Sequence, residues 1–401
     1  MIHLGKEIQL ETTSKYISQF RKGFPLINKE NVIFPHNEEI KEGTIIKLVD
    51  SKGLFVARGY YGKQNKGLGW LLSWKEPEEI NKEFIYKKLQ AAINQRLHFF
   101  YNEETTAFRL FNSEGDGFGG ITIDYFDGYY LVQWYSKGAY TFKEDVIQSL
   151  KELTDYKGIY QKKRFAEDGK YVEEDDFVDG HRPTFPLLVK ENGVQFAIYL
   201  NDGAMVGVFL DQREVRKRIR DSYSEGKQVL NTFSYTGAFS VFAALGGATE
   251  TTSVDLANRS LSKTIEQFSV NGIDYEAQKI IVEDVFKYFK YAVKKELSFD
   301  LVILDPPSFA RSKKHTFSAA KDYKDLLKEA ISITEDKGVI VASTNCSTFN
   351  MKKFKGFIDK AFNELNKSYK ILEEHTLPED FKTINQYKQA DYLKVVFIKK
   401  M

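Results

Sequence analysis

Four strand-like runs in the C-terminal half of the chain, three of them apolar, each stop at a side chain able to grip a polar ligand. Val229-Leu230 runs into Asn231, Ser253-Val254 into Asp255, Ile281-Val282 into Glu283-Asp284, and Val302-Ile303-Leu304 into Asp305. The last stop continues as Pro306-Pro307-Ser308-Phe309. Prolines lack the amide hydrogen a sheet needs, so the fourth run must end at Asp305. Buried parallel strands read as continuous apolar runs, and open α/β sheets bind ligands at the carboxyl ends of their strands. The four stops should therefore share one cleft. A carboxylate at the end of the second strand, Asp255, can take two hydroxyls of a ribose, and Glu283 or Asp284 can accept from the amino group of an adenine. Ordinary helix capping is compatible with each of these roles.

The first run leads into Asn231-Thr232-Phe233-Ser234-Tyr235-Thr236-Gly237-Ala238-Phe239. Small residues at such a turn let a ligand approach the backbone at a helix N-terminus. Only Gly237 is glycine, so this is neither a dinucleotide fingerprint nor a phosphate loop, which argues against a dehydrogenase or an NTPase. A glycine that merely starts the helix is the plainer alternative.

The elements that must position these residues follow from the pattern. From Gln228 on, strands at Val229–Asn231, Thr252–Asp255, Ile280–Glu283, Leu301–Asp305 and Val339–Ala342 alternate with helical stretches. That alternation predicts a parallel, doubly wound sheet, completed by Tyr369–Leu372 and Leu393–Ile398 as a hairpin. Residues 1–74 read differently, as a β-rich module with a hairpin, Thr44–Val49 and Leu54–Tyr60, closing on Asp50-Ser51-Lys52-Gly53. Between them, residues 75–190 predict an α+β platform. It has helices over Phe84–Phe100 and Lys143–Leu153, and strands at Ile121–Asp124, Tyr129–Trp134 and Gly158–Gln161. The acidic tract Glu173–Asp176 reads as a solvated loop. Phe196–Leu200 returns as a strand, part of a long hairpin leading into the last domain, 191–401. The fold class expected is α/β, a doubly wound C-terminal domain preceded by the platform and a small pseudo-barrel.

Composition sets broad limits. The chain has 401 residues, 58 basic and 56 acidic, with a formal net charge of +2. The balance neither requires nor excludes nucleic acid, because local patches matter more than the sum. Two patches stand out, Arg213 with Arg216, Lys217, Arg218 and Arg220, and Lys313-Lys314-His315; a solvated face is the alternative for each. One cysteine, Cys346, excludes an intrachain disulfide framework and a cysteine-rich metal site; no metal is expected. No apolar run approaches the roughly 20 residues a membrane helix needs, and no signal pattern opens the chain. A cytoplasmic protein with no membrane partner is expected.

Taken together, Asn231–Phe239, Val254-Asp255-Leu256, Glu283-Asp284 and Asp305-Pro306-Pro307-Ser308-Phe309 resemble the S-adenosylmethionine motifs of class I methyltransferases. Gly207-Val208-Phe209-Leu210-Asp211-Gln212-Arg213 resembles a cofactor-covering segment of one subgroup, the large-subunit ribosomal RNA cytosine-5 methyltransferases. Arg21-Lys22-Gly23-Phe24-Pro25 with the Asp50–Gly59 hairpin resembles a PUA domain, which commonly binds RNA. The resemblance implies that Phe209, Asp211, Gln212, Asn231, Ser234, Thr236, Gly237, Asp255, Leu256, Glu283, Asp284, Asp305 and Pro306 surround the cofactor. It implies ribosomal RNA as partner and Arg213, Pro307, Ser308 and Phe309 as substrate contacts. A homodimer is one expected assembly.

Within that resemblance Cys346, in Ala342-Ser343-Thr344-Asn345-Cys346-Ser347 after the fifth strand, should face the same cleft as Asp305. A thiolate added to carbon 6 of cytosine makes carbon 5 nucleophilic toward a methyl donor, an instance of covalent catalysis. Asp305 would hold the base edge. Some RNA cytosine-5 enzymes place a second cysteine where this chain has Ser308, so product release would depend on another base or on water. An Asp-Pro-Pro turn followed by a small residue and Phe also occurs in RNA guanine methyltransferases. There Asp305 would accept from an amino group and Phe309 would stack on the base, with no thiol. An inactive RNA-binding protein and a small-molecule methyltransferase are the rival classes.

Overall fold

Val302, Ile303 and Leu304 are fully buried in the computed structural model of the chain, and their strand ends at Leu304, one residue before Asp305. The structure describes residues 7–34, 39–65, 67–167, 170–171, 176–202, 206–311 and 316–401. Lys313-Lys314-His315 and the Glu173-Glu174-Asp175 part of the acidic tract lie outside the described residues. Two compact units are formed, one of Met1–Thr184, Tyr199–Val206 and Glu379–Ala390, the other of Phe185–Ile198, Gly207–Pro378 and Asp391–Met401.

The second unit is built on seven strands, β1 (Gln228–Thr232), β2 (Glu250–Asp255), β3 (Lys279–Val282), β4 (Phe299–Leu304), β5 (Thr334–Thr344), β6 (Tyr369–His375) and β7 (Lys394–Lys400), in the order β3-β2-β1-β4-β5-β7-β6. The first five pair in parallel, whereas β7 runs antiparallel to both β5 and β6. The expected doubly wound sheet with a terminal hairpin is thus present. Its helices are α1 (Arg213–Ser222), α2 (Ala238–Leu245), α3 (Arg259–Val270), α4 (Val285–Lys294), α5 (Ala319–Ser332) and α6 (Met351–Glu364).

Side chains alternate across a strand, and here the alternation divides the core. Val302, Leu304, Ile340, Ala342, Val396 and Ile398 face α4, α5 and α6. Leu301, Ile303, Val341, Val395 and Phe397 pack with Val215 and Ile219 of α1 and with Phe239 and Ala243 of α2. Each aliphatic side chain buried this way contributes about 1.5–3 kcal/mol relative to exposure. Both faces being covered is why β4 and the Val339–Ala342 part of β5 read as apolar runs. A hairpin, Leu187–Glu191 with Val194–Ile198, joins the unit by hydrogen bonds from Ala197 N to Gln267 Oε1 (2.9 Å) and Gln195 N to Asn271 Oδ1 (2.9 Å) on and just beyond α3.

The first unit holds a six-stranded sheet ordered (Leu26–Ile27)-(Gly67–Ser73)-(Phe55–Gln64)-(Ile45–Val49)-(Ile8–Thr12)-(Val32–Ile33). The predicted hairpin is there, and Asp50 Oδ1 closes its turn by accepting from Lys52 N (2.9 Å) and Leu54 N (3.0 Å). A five-stranded sheet, ordered (Phe177–Gly180)-(Gly158–Lys163)-(Tyr129–Trp134)-(Ile121–Phe126)-(Ala107–Asn112), is packed with the helices Lys82–Gln95 and Lys143–Leu153. The strand Ala107–Asn112 is not predicted by the apolar pattern, because Arg109 interrupts it. Its charge is met by Asp124 on the neighbouring strand at 2.5 Å.

The helix predicted over Phe84–Phe100 is broken at Arg96, which leaves helical geometry (φ −112°, ψ 15°). The guanidinium there is buried. It donates to Asp116 Oδ2 (2.8 Å), to Asp380 O (2.7 Å) and to Ala92 O (3.2 Å). Asp380 belongs to Glu379–Ala390, which folds with this unit although it lies within 191–401; Tyr387 sets its ring 5.7 Å from Trp70 and 5.8 Å from Phe24. Among the described residues no helix is long and apolar enough to cross a membrane.

Candidate active site

At the carboxyl ends of β1, β2 and β4 lies a cavity of about 380 Å³, within the range of small-molecule sites. Its walls come from the loops that follow those strands and β3 and β5, from α1 and the segment before it, and from a small hairpin, Phe309–Arg311 with Thr316–Ser318.

The loop after β1 is shaped for close approach. Phe233 (φ 55°), Tyr235 (φ 52°) and Gly237 (φ 76°) all take left-handed backbone conformations, which non-glycine residues adopt only at a cost and which cluster at functional sites. A Cβ on Gly237 would stand 2.5 Å from Thr264 Cγ2, so only glycine fits. Asp255, at the end of β2, braces this loop: Oδ2 accepts from Tyr235 N (2.8 Å) and Oδ1 from Ala257 N (2.9 Å). Asp284 caps α4 through Oδ1, which accepts from Phe286 N (2.9 Å). Capping and cavity lining therefore coexist at Asp284; Asp255 lines the cavity but is not the expected helix N-cap, because α3 begins at Arg259 with Asn258 at its N-cap. Exposed Leu256 completes this side.

Asp305 stands at the end of β4, half-buried. Ser343 Oγ, at the end of adjacent β5, donates to its Oδ1 at 2.8 Å. Burial lifts its carboxyl to about 6, with the nearby charge of Asp211 adding to the rise, while hydrogen bonds from Ser343 and Gln212 and the charge of Arg216 hold it down. Asp211 accepts from Tyr392 Oη (2.9 Å). Arg216, buried in the wall, is held by Glu191 Oε1 (2.6 Å) and Oε2 (2.7 Å) and by Phe209 O (2.6 Å). Asp211, Asp255, Asp284 and Asp305 thus all reach the cavity, and the Arg216 charge in its wall is already paired with a carboxylate. Such a lining suits a ligand with hydroxyls and positive charge and disfavours one carrying phosphates.

Of the residues expected around a cofactor, Phe209, Asp211, Gln212, Ser234, Asp255, Leu256, Asp284, Asp305 and Pro306 line the cavity, together with Pro307. Asn231, Thr236, Gly237 and Glu283 do not. Asn231 is buried behind the loop, Nδ2 donating to Ser240 Oγ (3.0 Å); Thr236 Oγ1 donates to Gly207 O (2.7 Å) and so ties the loop to the segment before α1. Glu283 turns away to Lys287 Nζ (2.9 Å), which lowers its carboxyl.

The arginine-rich stretch of α1 differs from the basic patch expected of it. Arg213 and Arg216 are buried, Lys217 and Arg220 pair with Asp221, and Arg218 pairs with Glu373. Arg213 also lies against Glu214 (3.2 Å). Their charges are met inside the unit, so α1 does not present the free cationic face the sequence suggests. On the substrate side, Phe309 is 61% exposed, and Ser308 Oγ donates to Asn345 Oδ1 at 2.5 Å.

Cys346, expected to face the same cleft as Asp305, stands one residue beyond it. Asn345 lines the cavity, whereas Cys346 is only 6% exposed, set in the apolar layer, with Sγ 3.2 Å from Thr348 Oγ1. The turn after β5 sends neighbouring side chains in different directions. Arg216, Phe233, Tyr235, Phe286 and Asn345 line the cavity without having been singled out for it; the available signal for Phe233, Tyr235, Phe286 and Asn345 was their position within a few residues of a strand end, whereas Arg216 lies on α1 and gave no such signal.

Comparison with known proteins agrees with this geometry. A family model of S-adenosylmethionine-dependent methyltransferases matches residues 118–387, and a PUA-like domain model matches residues 13–74. The chain is 63% identical over 387 residues to the Bacillus subtilis protein named "Putative ribosomal RNA large subunit methyltransferase YwbD", with 96% of this chain and 98% of that one covered. It is 30% identical over 355 residues to "Ribosomal RNA large subunit methyltransferase I" of Alteromonas mediterranea, with 88% and 89% covered. Its structure resembles that of SMU.776, described as "a putative methyltransferase complexed with SAH", at a TM-score of 0.90 and 37% identity, with 98% of this chain and 100% of that one covered. The chain therefore belongs to the S-adenosylmethionine-dependent methyltransferases, with a PUA-like domain toward its N-terminus, and its cofactor is S-adenosylmethionine.

Proposed function

We propose that the protein methylates a base of large-subunit ribosomal RNA, at carbon 5 of a cytosine, through a covalent adduct with Cys346. The names of its relatives and the PUA-like domain support ribosomal RNA as substrate. The observation that supports placing the thiol's turn beside the Asp-Pro-Pro turn is the stitching of two loops. Ser343 donates to Asp305 and Ser308 to Asn345, so the thiol-bearing turn and the Asp-Pro-Pro turn form one assembly at the ends of adjacent strands.

S-adenosylmethionine supplies the methyl group. In this reading Asp255 holds the ribose, Asp284 the adenine amino group, and Phe209, Asp211 and Gln212 close over the cofactor. The target base leaves its stack, at a cost of a few kcal/mol, and lies between the cavity and Cys346. Sγ, as thiolate, adds to carbon 6; carbon 5 takes the methyl group; removal of the carbon-5 proton then restores the ring as the Sγ–carbon bond breaks and its electron pair returns to sulfur. Asp305 accepts from the exocyclic amino group throughout. The β-rich module over 1–74 and the platform over 75–190 serve as separate domains that hold the RNA, in a cytoplasmic protein.

A second reading is methylation of a guanine nitrogen, with Asp305 accepting from the amino group and exposed Phe309 stacking on the base. The burial of Cys346 outside the cavity favours it. Mass spectrometry of ribosomal RNA nucleosides from cells with and without the protein separates the two. Loss of 5-methylcytidine supports the first reading, loss of a methylguanosine the second, and no change in either would sink both. Purified Cys346→Ser that still methylates its RNA at the wild-type rate would remove the covalent step.

A further inference from the structure

We infer that Lys394 is the positioning residue of the Cys346 thiolate, holding a cation beside the sulfur from the neighbouring strand. The inference rests on the reading of Cys346 as nucleophile. Residues 345–350, the turn that carries the thiol, have no charged side chain of their own.

The geometry comes from the sheet. Lys394 opens β7 and is the direct partner of Thr344 on β5. Thr344 Oγ1 accepts from Cys346 N at 3.2 Å, so the same pair anchors the turn that carries the thiol. Lys394, Val396 and Ile398 share one face of β7 by strand alternation, and Val396 and Ile398 lie in the same apolar layer as Cys346 and Phe349. The ammonium stands 5.6 Å from the centre of the Phe349 ring, three residues past the thiol. The side chain is therefore aimed at the cysteine's turn and not at solvent.

A cation in that place is costly. Lys394 is only 3% exposed, and its ammonium donates to the approach of its own strand, Tyr392 O at 2.7 Å. A carbonyl is a poor substitute for water around an ammonium, and an incompletely compensated buried charge is strongly unfavourable. Methionine or leucine would fill the same volume without that penalty. Burial pushes the Lys394 ammonium below the ordinary lysine range, opposed by the negative charges of Asp391 and of Cys346 itself. Among the described residues, other ionisable groups around the turn include Asp305 at the end of β4, Tyr323, whose hydroxyl donates to Ser343 O (2.8 Å), and Lys353, whose ammonium lies 6.0 Å from the Phe349 ring. Lys394 is the buried cation on the strand beside the turn that carries the thiol. When the thiol loses its proton, to water or to Nζ of a neutral Lys394, the pair left is S⁻ and NH₃⁺. When the adduct releases, the electron pair returns to sulfur beside the same cation, with no other change in the balance.

Cys346 is the chain's one cysteine, so its alkylation reads this thiol alone and needs no RNA. Lys394→Gln, Lys394→Arg and wild type are compared for alkylation by a small neutral reagent, thiolate ultraviolet absorbance against a Cys346→Ser blank, cofactor affinity, and kcat and KM for RNA. Loss of the cation should slow alkylation of the Gln variant about tenfold at neutral pH, converging with wild type at alkaline pH, while cofactor affinity holds. Its kcat should fall by about the same factor with KM little changed, and the Arg variant should keep most of the wild-type alkylation rate. Equal alkylation in Gln and wild type, or equal loss in Gln and Arg, would overturn the inference. Alkylation that depends on Lys394 in an enzyme whose methylation ignores Cys346→Ser would instead remove the cytosine reading and leave the pairing standing.

Discussion

Ser343 Oγ lies 2.8 Å from Asp305 Oδ1, joining the last turn of β5 to the carboxylate that ends β4. The bond holds the carboxylate in its ionised form against burial and against Asp211, and the outcome is a carboxyl lifted to about 6. A group poised near neutrality can accept from a base in one state and donate in the other, and perturbed groups of this kind concentrate at functional sites.

Asp305→Asn should lower the methylation rate by about 10–100-fold, the range for losing a hydrogen bond to a charged group, with the loss in kcat. If the carboxylate is the working form, wild-type activity falls as pH drops through about 6. Rate profiles of the wild type and the Asn variant check both points, because the Asn profile should lose that step.

The same carboxyl predicts a stability effect of definite sign. A carboxyl raised above its unfolded value is protonated more readily in the native state, so its contribution is fully present below the unfolded value and is lost as pH rises through about 6. A tenfold change in proton affinity corresponds to about 1.4 kcal/mol. The group opens on a cavity where solvent screens it, so about 1 kcal/mol is expected. Asp305→Asn should therefore unfold at higher temperature than wild type under mildly alkaline conditions and show no such gain under acid ones, by calorimetry.

Asp255→Ala should weaken cofactor binding about 10–100-fold, because hydrogen bonds to a charged group contribute about 1.5–3 kcal/mol. It also frees Tyr235 N and Ala257 N, the two amides the carboxylate braces. Isothermal titration with the cofactor measures the loss; undiminished affinity would contradict the placement of the ribose.

Glu191→Ala leaves the Arg216 guanidinium buried without its carboxylate. Breaking a buried pair by removing one partner costs about 3–5 kcal/mol, and both side chains here are almost wholly buried. Urea unfolding should show that loss. Arg216→Met in the same background should recover part of it by removing the orphaned charge.

Much of the fold was legible because it depends on local pattern. The strands β1 to β5, the hairpin turn at Asp50 and the helix Lys143–Leu153 follow from strand–helix alternation, turn chemistry and helical spacing. The interruptions were less legible. Arg109 within a strand and Arg96 at a helix break are each explained by a carboxylate far along the chain, Asp124 and Asp116, which no local pattern reveals.

Residue type and strand-end position together sufficed to collect Asp255, Asp284 and Asp305 around one cavity, since parallel strands of a doubly wound sheet must open at the same edge. Which way each side chain turns from that edge was decided by tertiary contacts alone. Lys287 draws Glu283 outward, Glu191 and Glu373 take up Arg216 and Arg218 of α1, and the turn after β5 points Asn345 into the cavity and Cys346 into the apolar layer. Lys394 arrives from a strand 48 positions later than Cys346 (394 − 346). Sequence spacing specifies a side chain's direction along its own element; the partner that attracts or excludes it is set by which distant segment the sheet lays beside it, here β7 against β5.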